Sequence, residues 1–517
     1  MIDDARTLWE LIERRADLTP DGVFAVDEAE RTVTFVEYRD AAERAAAGLQ
    51  AHGVAEGTAV SWILPTWIES AVLVAGLSRL GAVQNPMLPI YREREVGFIT
   101  RQTGARLLVC PSEWAGFDFE GMCRGVAADV DDLEVLVADR TLPDGDPGAL
   151  PGPPVGRDSR DDDPVRWVFY TSGTTADPKG ARHTDRSVMH SAYAMVKALE
   201  LTPDDRNALV FPFTHIGGIG WLDAGLMVGF PQIVIEAFNP ATTIPVLQRE
   251  GVTIAGAGTP FHMAYLAAQR EAPDTPLFPN VRAFPGGGAA KPPQLHGEVK
   301  AELGGVGVVS GYGLTECPIL AMGSVRDSDE KLATTEGRPT PGVDVRLVTL
   351  EGAEASAGLE GEIRARGPQL FRGYLDSSLD ADAFDEQGYF RTGDLGNQDD
   401  EGYITITGRV KDIIIRKGEN ISAKEVEDLL FEHPAIADAA VIGLPDPLSG
   451  ERACAVLVVA EGAEVPTLKE LFDFLTGAGL MVQKVPEQIE VVDTLPRNPT
   501  GKVLKHELRA TYAAAGG

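Results

Sequence analysis

The chain has 517 residues, with 46 Lys plus Arg against 78 Asp plus Glu, for a formal net charge of −32 at neutral pH. That balance argues against a nucleic-acid grip or a polybasic membrane anchor, because both need many cations to meet phosphates. At 44% apolar and 24% charged residues, the composition is that of a globular protein, too apolar for disorder and long enough for two or more cores.

Met1-Ile2-Asp3-Asp4 is acidic where a signal peptide is basic, and no apolar core follows it, so a cytoplasmic protein is expected. The best apolar run, 71–83, is broken by Ser78 and Arg79, and no integral membrane segment is expected. Leu8, Leu11 and Ile12 open an amphipathic helix. Another covers 41–52, a strand 59–64, a helix 68–80 and a short buried strand 107–110. This alternation predicts parallel-rich sheets with helices on their faces. Residues 142–163, rich in Pro, Gly and Asp, read as a surface linker.

A strand at 166–170 runs into Tyr170-Thr171-Ser172-Gly173-Thr174-Thr175-Ala176-Asp177-Pro178-Lys179-Gly180. Hydroxyls, glycines and a lysine after a strand end turn N–H and O–H donors toward phosphate oxygens. The spacing is not that of a Walker A loop. Only 12 lysines stand beside 34 arginines and Lys179 is the first of them, which sets it apart from surface filler. Further strands are expected at 232–236, 253–255 and 306–309. Strands and turns follow from Val343 to Thr407, and then a separate α+β pattern with a helix at 423–432, strands at 438–442 and 453–459 and a helix at 468–475. A domain boundary is placed at 409–411, giving 1–409 and 410–517. The four cysteines, Cys110, Cys123, Cys317 and Cys454, form no CxxC and no metal-type cluster with the histidines.

The Ser/Thr/Gly loop resembles the signature of the adenylate-forming superfamily, which holds acyl-CoA synthetases, nonribosomal peptide adenylation domains and luciferases. The resemblance continues in order through Phe211-Pro212-Phe213-Thr214-His215, Gly286-Gly287-Gly288-Ala289-Ala290, Gly311-Tyr312-Gly313-Leu314-Thr315-Glu316, Tyr389-Phe390-Arg391-Thr392-Gly393-Asp394, Gly408-Arg409-Val410-Lys411-Asp412 and Pro496-Arg497-Asn498-Pro499-Thr500-Gly501-Lys502. It implies a large α/β N-terminal domain with a β-rich subdomain and a small, mobile α+β C-terminal domain. It also implies an ATP-dependent ligase that first makes an acyl-AMP with release of pyrophosphate and then passes the acyl group to coenzyme A.

The resemblance assigns roles residue by residue. Thr171, Ser172, Gly173, Thr174, Thr175 and Lys179 face phosphates, while Gly287, Gly288 and Ala289 face the adenylate. Tyr312 stacks on adenine, Asp394 and Arg409 hold the ribose, and Thr315 meets the α-phosphate. Glu316 ligates Mg²⁺ and Lys502 bridges carboxylate and α-phosphate. Lys411 is the hinge, and Lys417 and Gly418 line the path of coenzyme A. His215 is a catalytic-site gate rather than a base. His215, Gly218, Trp221, Gly256, Gly258, Gly287, Cys317 and Pro318 are expected pocket walls, whose small and apolar character favours a hydrophobic acid.

Leu64-Pro65-Thr66, Leu80-Gly81-Ala82-Val83-Gln84-Asn85-Pro86 and Tyr91-Arg92-Glu93-Arg94-Glu95-Val96-Gly97-Phe98 most resemble bacterial cyclohexanecarboxylate or medium-chain ligases. Three positions depart from the common pattern: Ala176 where Gly is usual, Asp185 where His is usual, and Ala423 where Pro is usual. Two alternatives stay open, an acyl-AMP ligase loading a carrier-protein thiol and an amino-acid adenylating enzyme; a homodimer stays open too. Two short segments, 409–417 and 497–509, each carry a net +3 inside the acidic chain, which places cations for small anions without a polyanion surface.

Overall fold

The computed structural model describes residues 1–171, 178–288, 291–356, 358–416, 419–446, 449–497 and 502–513. Helix Ile68–Leu80 shows how the N-terminal part is built: it is apolar nearly all round and buried nearly all round, as a helix enclosed by other layers must be. Gly76 lets it approach its neighbour, since a Cβ there would lie 3.2 Å from the Ala42 carbonyl. That neighbour, helix Phe35–Ala51, starts earlier than the apolar spacing alone suggests because Thr34 and Glu37 form a reciprocal capping box.

Two sheets are rich in parallel pairing. One runs Asn207–Leu209, Gln232–Val234, Val23–Asp27, Thr32–Thr34; the other runs Lys179–His183, Trp167–Thr171, Val83–Pro86, Ala59–Trp62, Leu107–Cys110, Glu134–Val137. In the second, only the Lys179–His183 pairing is antiparallel. Their helices pack into one large core containing Trp9, Trp62 and Trp167. A third sheet, Phe284–Gly287, Val308–Leu314, Cys317–Met322, Arg338–Pro339, passes from parallel to antiparallel pairing. The fourth, Asp344–Val348, Gly361–Arg366, Phe390–Gln398, Ile404–Arg409, is antiparallel throughout. This is the large α/β domain with a β-rich subdomain expected from the sequence.

A short 3-10 turn, Val410–Asp412, separates the fourth sheet from the fifth. The fifth sheet runs Glu419–Ser422, Ile413–Arg416, Gly450–Val459, Ile436–Asp446, with Gln488–Val491 added in parallel beside Gly450–Val459. Helices Ala423–Leu430 and Leu468–Gly477 cover one face through Val426, Leu430, Leu471 and Leu475. Among the described residues, no hydrophobic cluster contains members from both sides of this turn.

Three expected elements differ. The strand at 253–255 is reduced to isolated bridges from Ile254 to Asn207 and Ala283. The strand expected at 306–309 is Val308–Leu314, which carries Tyr312 into the sheet. The linker at 142–163 is partly pinned: Leu142 and Leu150 pack on the core, and Pro143 fills the place of a side chain at Gly48. Among the described residues no helix is long and apolar enough to cross a membrane.

Candidate active site

Strand pairing builds the centre of the site. Asp394 and Arg409 lie directly opposite each other on neighbouring antiparallel strands, the geometry in which side chains on one face meet. The Arg409 Nε–H donates to Asp394 Oδ1, and the Tyr312 hydroxyl donates to Asp394 Oδ2 at 2.8 Å. The Asp394 N–H is in turn held by Thr392 Oγ1 at 3.0 Å. Burial and the adjacent carboxylate hold the Tyr312 phenol well above its usual range, so it stays a neutral donor.

Thr315 and Glu316 are the two-residue turn of a hairpin, because Leu314 pairs with Cys317. The turn is fixed from below: His183 Nε2 lies 2.8 Å from the Thr315 carbonyl oxygen and Nδ1 3.0 Å from Ser187 Oγ. Burial lowers the His183 imidazole to about 4, so the ring is neutral and its Nε2–H donates. The Tyr374 hydroxyl donates to Glu316 Oε1 at 2.6 Å, orienting the carboxylate. Burial raises the Glu316 carboxyl, while Lys179 and Arg409 oppose that rise. Lys179 Nζ stands 5.2 Å from the Tyr374 ring centroid.

Lys179 pairs with Thr171 across the antiparallel strands, and its ammonium acts on the Glu316 carboxylate. Ser172, Gly173, Thr174, Thr175 and Ala176 lie outside the described residues, as do Ala289, Lys417 and Gly418. Lys502 immediately precedes Val503, which bridges to Arg497. Burial, then Arg409 and Lys411, lower its ammonium to about 8 against the opposing pull of Asp394 and Asp412. The C-terminal domain therefore presents Lys502 beside the Asp394–Arg409 pair. Lys411 lies in the 3-10 turn between the two parts.

Gly258, Gly287 and Gly311 bring three backbones together. A Cβ on Gly258, whose φ is +124°, would meet the Gly287 carbonyl oxygen at 3.0 Å, and one on Gly287 would meet the Gly311 carbonyl oxygen at 2.8 Å. Only glycine allows this approach. Gly256 belongs to the same floor, its carbonyl accepting from the Tyr265 hydroxyl at 3.1 Å. Gly288 follows with φ +76°.

His215 caps helix Ile216–Val228, its Nδ1 accepting the Gly217 N–H at 3.1 Å. That bond leaves the proton on Nε2, and burial lowers the imidazole to about 4. His215 is thus a neutral donor rather than a base. It lines a cavity of about 20 Å³ with Leu88, Tyr91, Phe169, Thr214 and Thr315. The remaining expected walls do not line this cavity. Trp221 and Cys317 are 5% and 0% exposed and belong to hydrophobic cores. Gly218 faces the Phe213 backbone, where a Cβ would lie 2.5 Å from the carbonyl oxygen, and Pro318 is buried in its strand. Core packing takes these side chains because the helix and strand carrying them are buried on both faces.

The sequence reading missed Tyr374 and His183, which hold Glu316 and Thr315. Tyr374 is separated from Glu316 by 58 positions, so spacing carried no signal; His183, close after Lys179, did lie within reach of inspection. Asp185, one of the unusual positions, accepts the Leu8 N–H and the Trp167 indole N–H, a structural task that ties the first helix to the second sheet. Ala423 opens a helix capped by Ser422. Among the described residues no group of three or more His, Cys, Asp or Glu side chains could hold a metal ion.

The chain matches known proteins over most of its length. The family model described as AMP-binding enzyme matches residues 12–375, and that described as AMP-binding enzyme C-terminal domain matches 425–502. The chain is 31% identical over 512 residues to the medium-chain fatty-acid–CoA ligase of Escherichia coli, covering 97% of this chain and 90% of that one. It is 30% identical over 538 residues to the salicyl-AMP ligase / salicyl-S-ArCP synthetase of Mycobacterium tuberculosis, covering 99% and 92%. The crystal structure of ATP-bound MatB from Rhodopseudomonas palustris superposes with a TM-score of 0.88 at 28% identity, covering 98% and 99%.

Proposed function

The chain belongs to the AMP-binding enzyme family, and on that premise we propose that it is an acyl-CoA synthetase for a hydrophobic carboxylic acid of medium-chain, alicyclic or aromatic type. It is an ATP-dependent, adenylate-forming enzyme that acts on a carboxylic acid. The observation that supports the acid-activating chemistry is the convergence of Lys179, Glu316, the Asp394–Arg409 pair and Lys502 from four separate regions of the chain.

A carboxylate is already ionised at neutral pH, so no general base is required. Its oxygen attacks the α-phosphorus of ATP, the bond to the β-phosphate oxygen breaks, and pyrophosphate leaves. The work of the site is to align two anions and offset their charge. Lys502 bridges the acid and the α-phosphate, and the Thr315 hydroxyl donates to the α-phosphate. Lys179 and the loop from Thr171 to Thr175 hold the β- and γ-phosphates. Asp394 accepts from the ribose hydroxyls with Arg409 fixing its angle. Tyr312 lies against adenine, with Gly287, Gly288 and Ala289 on the other side of the adenylate. Glu316 would hold Mg²⁺: one oriented, buried carboxylate suits an ion that takes one or two carboxylates and finishes its shell with phosphates and water. When bound, the ion offsets phosphate charge.

In the second step the thiol sulfur of coenzyme A attacks the acyl carbonyl, the carbonyl–phosphate oxygen bond breaks, and AMP and the thiol proton leave. A swing about Lys411 withdraws Lys502 and brings Lys417 and Gly418 over the site. His215 gates the acid. Lys502→Ala is expected to abolish carboxylate-dependent ATP–pyrophosphate exchange while thioester formation from supplied acyl-AMP continues; equal loss of both would overturn the assignment. The similarity to a salicyl-AMP ligase / salicyl-S-ArCP synthetase favours one second reading, transfer to a carrier-protein thiol. Pyrophosphate release over a panel of acids, followed by thioester analysis with and without CoA, separates the two. The reading places the enzyme in the cytoplasm.

A further inference from the structure

The cavity lined by Thr315 and His215 is also lined by two hydroxyl-bearing residues that its apolar walls do not explain. Tyr91 and Thr214 are 7% and 3% exposed, both line the cavity, and neither hydroxyl has a hydrogen-bond partner among the described residues. Tyr170, on the same wall, differs: its hydroxyl donates to Gln102 Oε1 at 2.7 Å. Native interiors rarely leave such groups unmade, because each gives up its hydration on burial. Two in one cavity of about 20 Å³ define a niche that holds one oxygen-sized group. Leu88 and Phe169 close it with apolar surface.

We propose that Tyr91 and Thr214 form a polar subsite for a hydroxyl or oxo oxygen on the acid, so that the enzyme selects hydroxy- or oxo-substituted hydrophobic acids over their unsubstituted counterparts. This rests on the acid-activating reading above. Burial pushes the Tyr91 phenol up to about 12, so it is a donor across the physiological range, while the Thr214 hydroxyl can donate or accept. A site built to hydrogen-bond a substrate oxygen discriminates strongly against the analogue that lacks it, since its own buried groups then stay unpaired.

The test measures pyrophosphate release without CoA for matched acids: cyclohexanecarboxylate against its hydroxylated forms, benzoate against hydroxybenzoates, and hexanoate against oxohexanoates. Wild-type kcat/KM is expected to favour the substituted member of at least one pair by about tenfold or more. That ratio should collapse toward one in Tyr91→Phe and Thr214→Val and be retained in Thr214→Ser, with melting curves confirming that each variant folds. No preference in any pair, or a preference that survives both hydroxyl deletions, overturns the niche. So does a rise in the KM for CoA with unchanged acid ratios, which would give the hydroxyls to the thiol's arm. Pyrophosphate release from none of the acids would sink the acid-activating reading itself, whereas release without preference sinks only the subsite.

Discussion

Lys502 stands where burial, Arg409 and Lys411 lower its ammonium to about 8, and under the proposed mechanism this has a kinetic consequence. The cation is present below that pH and is lost as pH rises through it, and with it would go the charge proposed to offset two approaching anions. Carboxylate-dependent pyrophosphate exchange should therefore fall about tenfold per unit above roughly pH 8, and Lys502→Arg should carry whatever activity it retains to higher pH. A wild-type profile flat to about pH 9.5 would remove Lys502 from the first step. His215 and His183, each lowered to about 4 by burial, stay neutral and should add no limb between about pH 5 and 8. The identities of Lys502, Asp394 and Glu316 were legible in the sequence because each sits inside a short ordered motif. Tyr374 was not, since its meeting with Glu316 is made by folding alone.

Secondary elements set the distances between these residues. One antiparallel register puts Asp394 against Arg409, and one two-residue turn projects Thr315 and Glu316 together. The stack of Gly258, Gly287 and Gly311 is the tightest part of the floor. Gly287→Ala would force a methyl to within 2.8 Å of a backbone carbonyl oxygen, so thermal denaturation is expected to show a loss of about 1–3 kcal/mol, together with slower pyrophosphate release. Gly297→Ala is the contrast: nothing lies within 4 Å of its added Cβ and it sits inside helix Pro293–Glu302, so a gain of up to about 1 kcal/mol with unchanged activity is expected. If Gly287→Ala melts like wild type, the close approach has no energetic weight. The sequence pattern located most strands and helices within a few residues. It overextended the strand near Ile254, because a run of apolar residues does not reveal how few partners a strand end will find.

At the scale of the molecule, the two parts keep separate hydrophobic cores and meet through polar contacts. The Ser422 hydroxyl donates to the Thr407 carbonyl, and Lys424 approaches the Lys291–Glu336 pair. Polar interfaces of this kind permit relative motion more readily than a shared core would. A chain ending at Arg409 is accordingly expected to fold cooperatively and to bind ATP, yet to release no pyrophosphate, because Lys502 is gone. Calorimetry and nucleotide titration check this, and failure of the truncated chain to fold would show that the small part supports the large one. The acidic total of −32 fits the same picture, since Lys179, Arg409, Lys411 and Lys502 concentrate positive charge locally.

The sequence by itself determined the fold class, the family and the order of the site motifs, because hydrophobic periodicity and short chemical signatures are local properties of the chain. It also supplied the cations that an acidic protein needs for phosphate chemistry. Only the tertiary structure decided which side chains those motifs meet: Tyr374 on Glu316, His183 beneath Thr315, Trp221 and Cys317 withdrawn into the core, and Tyr91 beside Thr214 in one cavity. Such pairings depend on how distant segments pack against one another, and packing is decided by the whole set of buried surfaces at once rather than by any one segment.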